Sequence, residues 1–406
     1  MKALVLAGGF PQIALIKELK SRGIEVLLSD YNAEPIAKPY ADRYFRVSTL
    51  DVEAITKIAK DEKVDFLITA CTDQALLTVA KVSKDLGLPC YIDYDTALNV
   101  TNKAYMKKVF CEYAVPTAKH VITSSYNKNL SNGMDWPLIV KPVDCNSSKG
   151  VKKVDTEQAL EKAVEIATKL SRTGTAVVEE FVEGEELSAD VYVENGKAKL
   201  LSVSGLDKIK DNDKFIIFRG RYSPLPEDVC KMIEDTADKI AKAFGLYDSP
   251  MLIQMIYDGK KIKVLEFSAR TGGGVKYLLI KKTSGFDVIK AVVDLTLGVK
   301  PVCEKKQPES KYIYNEFIYC KPGVFDKLDG FEQAKQQGVI SDYYLFKWKG
   351  AIFDKIESSG DRVAGFTVQG NDLDDVKEKH HKANAMLKVL DELGNDMMRH
   401  DLFDEV

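Results

Sequence analysis

Strand-like and helix-like segments alternate through the first 95 residues, and this order limits the possible folds most strongly. Apolar stretches at 2–9, 25–31 and 64–70 are separated by segments with helical apolar spacing, such as 51–63 and 74–87. Strands separated by helices of this length form a parallel sheet, because each helix returns the chain to the same edge. We therefore expect an α/β domain at the N-terminus.

This N-terminal domain is predicted to be Rossmann-like. Asp30 ends the second strand, where dinucleotide-binding folds place an acid that binds ribose. Gly8 and Gly9 in "AGGFPQIAL", however, are not followed by the third glycine of the G-x-G-x-x-G fingerprint. A nicotinamide dehydrogenase is therefore the weaker interpretation, although the two glycines would let backbone approach a ligand.

The pattern changes to paired strands after about residue 118. Asn195 with Gly196, and Asp258 with Gly259, are turn signals between strand-like segments, which predicts two hairpins and an antiparallel sheet. After Pro301 a third block of strands leads to a helix over residues 373–394 that begins near Asp372. The predicted fold class is therefore multidomain, with an α/β domain followed by α+β domains.

Composition excludes several classes of partner and mechanism. The chain has 406 residues, a net charge of −3 and no apolar run near the roughly 20 residues of a membrane helix, so neither nucleic acid nor a membrane is expected as partner. Seven dispersed cysteines without a C-x-x-C pair fit reduced thiols in a cytoplasmic protein. Only four histidines disfavour a His/Cys metal site and a Ser–His or Cys–His mechanism.

A strand that ends before three consecutive glycines carries Glu266, Ser268 and Arg270, which share one face if the strand is regular. Gln254 lies on the preceding strand. A two-residue turn would put Gln254 and Glu266 on opposite faces, whereas a three-residue turn with a bulge would set Gln254 opposite Val264 and put both on one face. The sequence leaves both turns open.

These side chains suit a metal-bound phosphate. Carboxylate, amide and hydroxyl oxygens are ligands that Mg²⁺ accepts, so Glu266, Gln254 and Ser268 are candidate metal ligands. Arg270 offers a forked donor for a phosphoryl oxygen. The glycines at 272–274, including Gly273, let backbone come close to an anion.

Two further stretches place polar groups next to strands. Lys141 ends an apolar strand before the small polar loop 144–150, where its charge and the backbone donors could clamp phosphate. This is not a Walker A motif, because G-x-x-x-x-G-K-[ST] is absent. Further on, a carboxylate and exposed backbone at 179–182 could read an adenine amino group, and Glu186 could accept hydrogen bonds from ribose.

In their order and spacing, these stretches resemble the ATP-grasp superfamily. The resemblance covers residues 1–300 well and 301–406 more loosely. It implies a pre-ATP-grasp domain at 1–100, an ATP-grasp domain at 101–300 with a lid lobe at about 118–182 and a large lobe at about 183–300, and a C-terminal domain at 301–406. The matching motif residues are Asn102, Lys103 and Met106; Val140, Lys141 and Pro142; Ser148, Gly150 and Val151; Glu179, Phe181, Val182, Gly184 and Glu186; and Glu266, Ser268 and Arg270.

The resemblance also implies a role for each motif. Lys103 and Lys141 would contact the phosphates of ATP, and Glu186 would hold its ribose. Mg²⁺, or Mn²⁺ in its place, would bind Gln254 and Glu266. Ser268 departs from the usual Asn of the motif, which affects the second metal position. The lid loop would comprise Ser147, Ser148, Lys149 and Gly150, and the segment that reads adenine would comprise Glu179, Glu180, Phe181 and Val182.

A site of lysine, arginine and metal-binding oxygens suits phosphoryl transfer, which needs positioning and charge neutralisation more than a protein nucleophile. The resemblance implies a carboxylate–amine ligase that forms an acyl phosphate, releases ADP and phosphate, and joins amino acids or similar small metabolites. In this scheme Arg270 stabilises the transferring phosphoryl group, and Arg270 and Lys141 are the catalytic residues.

The substrates are less constrained. Arg219 and Arg221 in "FRGRYSP" lie where related ligases carry a substrate loop, so they are candidates to grip a substrate carboxylate, together with Gly273. The C-terminal block resembles the last domain of L-amino-acid ligases. Phosphoribosylglycinamide synthetases share the plan but carry an N-terminal Arg–Glu–His motif that "AGGFPQIAL" lacks. That activity, or a non-catalytic ATP-binding module, is the alternative, and a homodimer is the expected assembly.

Overall fold

The computed structural model describes residues 1–145, 149–209 and 215–403. Its first unit is a four-stranded sheet of order β3-β2-β1-β4 in which the neighbouring strands are all parallel, as the alternation of strands and helices predicts. The elements are β1 (Lys2–Leu6), α1 (Phe10–Ser21), β2 (Glu25–Ser29), β3 (Arg43–Phe45), α2 (Val52–Asp61), β4 (Phe66–Ile68), α3 (Asp73–Leu86) and α4 (Tyr94–Val100).

Both faces of this sheet are covered. On β1, Leu4 packs with Ile55 of α2 on one face, while Val5 packs with Leu15 of α1 on the other. A strand buried on both faces needs a continuous apolar run, which is why "ALVL" shows no polar alternation.

The second unit is a smaller antiparallel sheet of order β5-β8-β6-β7. One helix covers it: its N-terminus is capped by Thr156, and Leu160, Val164 and Ala167 form its buried face. The elements are α5 (Lys103–Glu112), β5 (His120–Thr123), β6 (Leu138–Pro142), β7 (Lys152–Val154), α6 (Glu157–Leu170) and β8 (Ala176–Glu180).

The third unit is an eight-stranded sheet of order β13-β12-β9-β10-β11-β14-β18-β16. Its last three strands come from the block after residue 301, so this sheet continues across the predicted boundary at residue 300; the predicted domain limits stay predictions. The elements are β9 (Glu185–Glu194), β10 (Lys197–Lys208), β11 (Ile217–Tyr222), α7 (Glu227–Ala243), β12 (Ser249–Tyr257), β13 (Ile262–Ser268), α8 (Lys276–Ser284), α9 (Val288–Thr296), β14 (Tyr312–Ile318), β16 (Asp342–Leu345) and β18 (Ala364–Gly370).

A three-stranded sheet of order β17-β15-β19 completes the C-terminal part, and α11 packs against β18. Among the described helices, none combines the length and the apolar composition needed to cross a membrane. The elements are β15 (Gly323–Asp329), α10 (Phe331–Gln336), β17 (Ile352–Phe353), α11 (Leu373–Met386) and β19 (Lys388–Asp391).

Both predicted hairpins are present. Asn195 and Gly196 form a two-residue turn between β9 and β10, and both have positive φ (54° and 74°), as the preferred hairpin turns require. The turn between β12 and β13 is longer than the two-residue and three-residue turns expected from the sequence. Tyr257 pairs with Ile262, so four residues lie between them.

A bulge after Gln254 compensates for the longer turn. It shifts the register so that Gln254 lies directly opposite Glu266, rather than opposite Val264. Directly opposed residues project on the same face of an antiparallel pair. Gln254 and Glu266, the two candidate metal ligands, therefore share a face. This results from the bulge together with the four-residue turn, and not from either of the shorter turns.

Candidate active site

A cavity of about 540 Å³ lies between the β5–β8 sheet and the eight-stranded sheet. Both sheets, the start of α3 and the glycine segment 272–274 contribute to its wall. Of the residues selected from the sequence, the structure brings the following to this cavity: Lys103, Lys141, Lys149, Glu179, Glu180, Phe181, Val182, Glu186, Gln254, Glu266, Arg270 and Gly273.

Two lysines hold Glu179 at one wall of the cavity. Lys141 Nζ lies 2.5 Å from Glu179 Oε1, and Lys107 Nζ lies 2.7 Å from Oε2. The three side chains are at most 8% exposed. Burial opposes ionisation of Glu179, but the two ammonium charges override it and lower the pKa of Glu179 to about 2. The Glu179 side chain therefore orients Lys141, and the neighbouring backbone is left to face the cavity.

Lys107 joins this cluster to the large sheet. Its ammonium group also donates a hydrogen bond to Thr117 Oγ1 (2.5 Å), and the Thr117 hydroxyl donates to the backbone oxygen of Val264 on β13 (2.9 Å). Burial lowers the pKa of Lys107, and Glu179 opposes that effect. The position of Lys141 is thus fixed relative to the strand that carries Glu266.

Lys103 and Glu266 form the opposite side. Lys103 Nζ lies 3.0 Å from Glu266 Oε2 and donates to the backbone oxygen of Cys145 (2.9 Å). Burial raises the pKa of Glu266, but the charges of Lys103 and Lys141 outweigh it and hold this pKa below its usual range. The result is an ionised carboxylate beside the amide of Gln254, in the same cavity as two lysine ammonium groups.

The oxygen donors fit a hard divalent cation that is completed by other ligands. No group of three His, Cys, Asp or Glu side chains suited to a metal occurs in the parts of the chain that the structure describes. Glu266 offers a carboxylate oxygen and Gln254 offers an amide oxygen. Mg²⁺ usually binds only one or two carboxylates, and phosphate and water oxygens complete its coordination. The donor set therefore matches a metal that binds together with a phosphate.

Arg270 is held by a residue of the N-terminal domain. Its Nε donates to Asp73 Oδ1 (2.8 Å), its Nη2 contacts the second Asp73 oxygen, and its Nη1 donates to the Thr271 backbone oxygen (2.9 Å). Burial opposes ionisation of Asp73, but Arg270 lowers its pKa. Ser268 also hydrogen-bonds Asp73. Asp73 thus fixes both residues that follow Glu266 on this face.

Ser268 has a polar partner within the fold, and its part as a metal ligand stays a prediction. It is buried, and its hydroxyl bonds Asp73 rather than adding a third oxygen beside Gln254 and Glu266. Glu266 and Ser268 lie on the same face of β13, as alternation predicts. The sequence does not show that Asp73 would be the partner of Ser268. The arrangement favours two side-chain ligands for a metal, and Ser268 as a support for Asp73.

The far side of the smaller sheet forms an apolar slot next to a free backbone donor. The amides of Glu180 and Phe181 donate to the backbone oxygens of Lys119 and Pro137, both at 3.0 Å. The Val182 amide has no acceptor among the described residues. Ile139 and Leu265 line the same cavity as Val182. A flat ring with an acceptor nitrogen would fit here.

The remaining lobe residues lie nearby. The Glu186 carboxylate contacts the Lys208 ammonium group, and both residues line the cavity. Gly150 has a φ of +76°, and a Cβ there would lie 2.6 Å from Leu170 Cδ1, so only glycine fits. Lys149 beside it reaches the cavity. Ser147 and Ser148 lie outside the described residues.

Comparison with known proteins agrees with this geometry. Residues 134–277 match the model of the ATP-grasp domain family. The chain carries an ATP-grasp domain. This confirms the predicted family, the mixed α/β fold class and the enzyme class of an ATP-grasp ligase.

Similar proteins include a phosphoribosylamine–glycine ligase of Streptomyces coelicolor, which is 22% identical over 95% of this chain and 96% of its own. Among solved structures, an L-amino acid ligase from Bacillus licheniformis has 20% identity and a TM-score of 0.80, with 96% and 98% of the two chains covered. The biotin carboxylase domain of Hydrogenobacter thermophilus 2-oxoglutarate carboxylase, solved with MgADP, has 15% identity, a TM-score of 0.78 and coverage of 100% and 99%.

Arg219 and Arg221 do not reach the cavity of the ATP-grasp domain. Gly220, between them on β11, lines it, so strand alternation turns both arginines to the opposite face. There Arg219 is 1% exposed and donates to Glu316 Oε1 (2.6 Å), while Arg221 donates to Asp207 (3.0 Å). Both guanidinium groups have carboxylate partners on that face, where they line a second cavity, and their part in substrate binding stays a prediction.

Asp73, from the N-terminal domain, is a cavity residue that sequence reasoning missed, and its replacement gives a first prediction. In Asp73→Asn the guanidinium of Arg270 keeps a hydrogen-bond acceptor but loses the opposing charge. A hydrogen bond to a charged group contributes about 1.5–3 kcal/mol, so turnover should fall by roughly tenfold to a hundredfold. The Michaelis constant for ATP should stay near the wild-type value, because the adenine slot is untouched.

The matched control is Asp85→Asn on the same helix, where the carboxylate forms an exposed i,i+4 pair with Lys81. Steady-state phosphate release and thermal unfolding should be unchanged in this variant. Equal turnover in Asp73→Asn and Asp85→Asn would show that the Asp73–Arg270 pair has no part in the reaction.

Proposed function

We propose that this protein is an ATP- and Mg²⁺-dependent carboxylate–amine ligase that works through an acyl phosphate. One observation carries the proposal: Lys103, Lys141 and Arg270 meet the oxygens of Gln254 and Glu266 in one cavity of the ATP-grasp domain. Cations and metal-binding oxygens facing one space are what a polyphosphate with a bound metal requires.

The nucleotide is placed by this chain's own groups. The Val182 amide donates to the adenine ring in the apolar slot, and Glu186 accepts from ribose hydroxyls. Lys141, held by Glu179, and Lys103, held by Glu266, bind the phosphates. Mg²⁺, or Mn²⁺ with the same ligands, bound by Gln254 and Glu266 would neutralise charge on the phosphate oxygens.

The reaction follows in two balanced steps. A substrate carboxylate oxygen attacks the γ-phosphorus, the bond to the β-phosphate oxygen breaks, and ADP leaves. The amine then attacks the acyl carbon, phosphate leaves with the former carboxylate oxygen, and the amine loses a proton. Asp73 holds the Arg270 guanidinium in place. Arg270 contacts the transferring phosphoryl group and stabilises its negative charge.

The substrates are proposed to be amino acids or similar small metabolites. The alternative is phosphoribosylamine–glycine ligation, which the name of the Streptomyces relative suggests. The lack of Arg, Glu and His in "AGGFPQIAL" disfavours it. A non-catalytic ATP-binding module is the other alternative, since Ser268 stands where the motif has Asn. Cytoplasmic location and a homodimer also stay predictions.

The test is phosphate release from ATP and Mg²⁺ with the full chain, screened over pairs of L-amino acids and, separately, over glycine with a phosphoribosylamine. We expect release of ADP and phosphate only when both a carboxylate and an amine are present. A module without catalysis would instead show a rise in melting temperature with ATP and no release with any pair, which would overturn the ligase proposal.

A further inference from the structure

A second cavity, of about 690 Å³, lies across β10 and β11 from the first cavity, the one between the two sheets. Its size is within the range of sites for small molecules, about 300–1,000 Å³. Asp207, Arg219, Arg221 and Tyr314 of the large sheet form one wall, and the start of α11 with residues 399–402 forms the other. The proposed reaction leaves this cavity without a role.

A buried network of ionisable groups lies behind the sheet wall of the second cavity. Arg219 Nε donates to Glu316 Oε1 (2.6 Å), and Arg219 Nη2 lies 3.0 Å from His380 Nε2. The side chains of Glu316 and His380 are fully buried. Among the described residues, Glu316 Oε2 and His380 Nδ1 have no hydrogen-bond partner. Such a network is weak support for the fold, because burying charges costs about as much as their attraction returns.

This network sets the position of Arg221 at the cavity wall. Arg219 Nη1 lies 3.5 Å from Asp207 Oδ2, and Asp207 accepts a hydrogen bond from Arg221 Nε (3.0 Å). Arg221 Nη2 donates to Glu185 Oε1 (3.1 Å). Its Nη1 has no acceptor among the described residues. The guanidinium of Arg221 is therefore held on two sides, and one nitrogen remains available to a ligand.

Two further donors of the second cavity lack partners in the described parts of the chain. Tyr314 is 4% exposed, and its hydroxyl makes no hydrogen bond there. Lys377, half-buried on α11, has no ion pair or hydrogen bond there. A donor that is shielded from water and lacks an acceptor costs free energy, so a ligand that supplies acceptor oxygens is stabilised beside it.

The acidic groups of the wall are already engaged. Asp401 accepts from Arg399 Nε (2.8 Å) and Nη2 (2.6 Å), and Asp207 accepts from Arg221. The described residues of the wall include five basic and two acidic side chains, and three of the basic ones have carboxylate partners outside the wall. Lys377 is the basic side chain that remains unpaired among them. The wall thus offers donors and one unpaired positive charge.

We propose that the second cavity binds a small molecule through an anionic oxygen group, a carboxylate or a phosphate, which accepts hydrogen bonds from Arg221 Nη1, Lys377 Nζ and the Tyr314 hydroxyl. An ionised carboxylate or phosphate accepts several hydrogen bonds and donates none, which matches three donors. Bonds from charged donors are also stronger than neutral ones. This inference does not depend on the proposed ligase function.

This site is distinct from the cavity of phosphoryl transfer. Arg221 projects from the face of β11 opposite to that of Gly220, which lines the first cavity. The bound anion is therefore not the carboxylate that is phosphorylated. Lys208 lines both cavities and contacts Glu186, the candidate ribose ligand, so the two sites share one side chain.

The test is calorimetric titration of the full chain in excess Mg·ADP with anionic probes and their neutral counterparts. The anions are succinate, L-glutamate, inorganic phosphate and glycerol 3-phosphate, and the neutral probes are succinamide, L-glutamine and glycerol. We expect at least one anion to bind roughly tenfold or more tightly than its neutral counterpart. The anion with the lowest Kd shows whether the group is a carboxylate or a phosphate. Absence of binding by every anion would overturn the proposal.

Variants place the bound anion in the second cavity. Lys377→Met and Tyr314→Phe each remove one donor, and each should raise the Kd of the bound probe roughly tenfold. Tyr314→Phe keeps the buried ring and is the milder change to the fold. Lys382→Met, which removes an exposed lysine paired with Glu378 on the same helix, is the matched control and should leave the Kd unchanged. A wild-type Kd in both Lys377→Met and Tyr314→Phe would overturn the site.

Lys103→Met separates the two cavities. It removes a cation of the first cavity, so the Kd of the probe should stay at the wild-type value. Binding that is lost in Lys103→Met but kept in Lys377→Met and Tyr314→Phe would place the anion in the first cavity and overturn the inference. Phosphate release is measured on the same wild-type preparation. No release with any substrate pair, together with probe binding that depends on Lys377, would contradict the ligase function and uphold the second site.

Discussion

Replacing Glu179 with alanine is expected to lower the free energy of unfolding by about 3–5 kcal/mol, because loss of one partner leaves buried charges uncompensated. Lys107 and Lys141 would remain at 1% and 8% side-chain exposure with no carboxylate between them. Their mutual repulsion adds to the cost of burial. Denaturant unfolding of the wild type and the variant measures the difference. The comparison requires that the free energy of unfolding falls with denaturant concentration at the same slope in both proteins.

The matched control is Glu165→Ala, which removes an exposed i,i+4 pair with Lys169 on α6. A solvent-exposed pair contributes little, so the stability of this variant should stay near that of the wild type. If Glu179→Ala and Glu165→Ala unfold at the same denaturant concentration, the Glu179 cluster does not stabilise the fold.

The same cluster gives a pH dependence with a definite sign. The pKa of Glu179 is lowered from 4.5 to about 2 in the folded chain, so its contribution is complete above about pH 4.5 and is lost as pH falls towards 2. The stability gap between wild type and Glu179→Ala should therefore narrow across this range. A gap that stays constant from pH 6 to pH 2 would contradict the assigned charge state.

Glu266→Gln is expected to lower turnover by about 10²–10³-fold while the protein stays folded. Glutamine keeps the shape and one carbonyl oxygen but removes the charge that binds a divalent cation. The stabilisation that a catalytic metal gives to a transferring phosphoryl group is several kcal/mol, and each 1.36 kcal/mol corresponds to tenfold in rate. Steady-state phosphate release with the productive substrate pair measures the loss.

A titration with Mg²⁺ separates metal binding from other causes. The half-saturating Mg²⁺ concentration should rise in Glu266→Gln and stay unchanged in Glu161→Gln, which makes the same chemical change on the exposed surface of α6. Wild-type turnover of Glu266→Gln at wild-type Mg²⁺ concentrations would remove Glu266 from the metal site.

Local patterns in the sequence were sufficient for much of the fold. The parallel sheet follows from apolar runs separated by helical segments, and the β9–β10 hairpin follows from Asn195 and Gly196. Register could not be obtained in the same way. A four-residue turn and a bulge together place Gln254 opposite Glu266, and neither leaves a signature that distinguishes it from the shorter turns.

The sequence also does not show which face of a strand lines the cavity. Arg219 and Arg221 share a face, as alternation requires, but the face is set by which partners the fold brings to β11. The contact between Asp73 and Arg270 joins residues 197 positions apart, and Arg362 reaches the cavity from the C-terminal block. Such contacts exist only after the chain has folded, so single-sequence patterns do not show them.

The C-terminal helix shows a boundary error of another kind. Its start near Asp372 was predicted correctly, since Asp372 caps α11 by accepting from the Asp375 amide. The apolar spacing continues to residue 394, but the helix ends at Met386 and Lys388–Asp391 form β19 beside β15. Pairing with a neighbouring strand outweighs helix propensity in this segment.

The most direct test of the central claim is a crystal structure of the full chain grown with Mg²⁺ and a non-hydrolysable ATP analogue. The account predicts adenine beside the Val182 amide, phosphates between Lys141 and Glu266, and a metal ion on the Glu266 carboxylate. A nucleotide bound elsewhere, or a cavity left empty at saturating nucleotide, would contradict it.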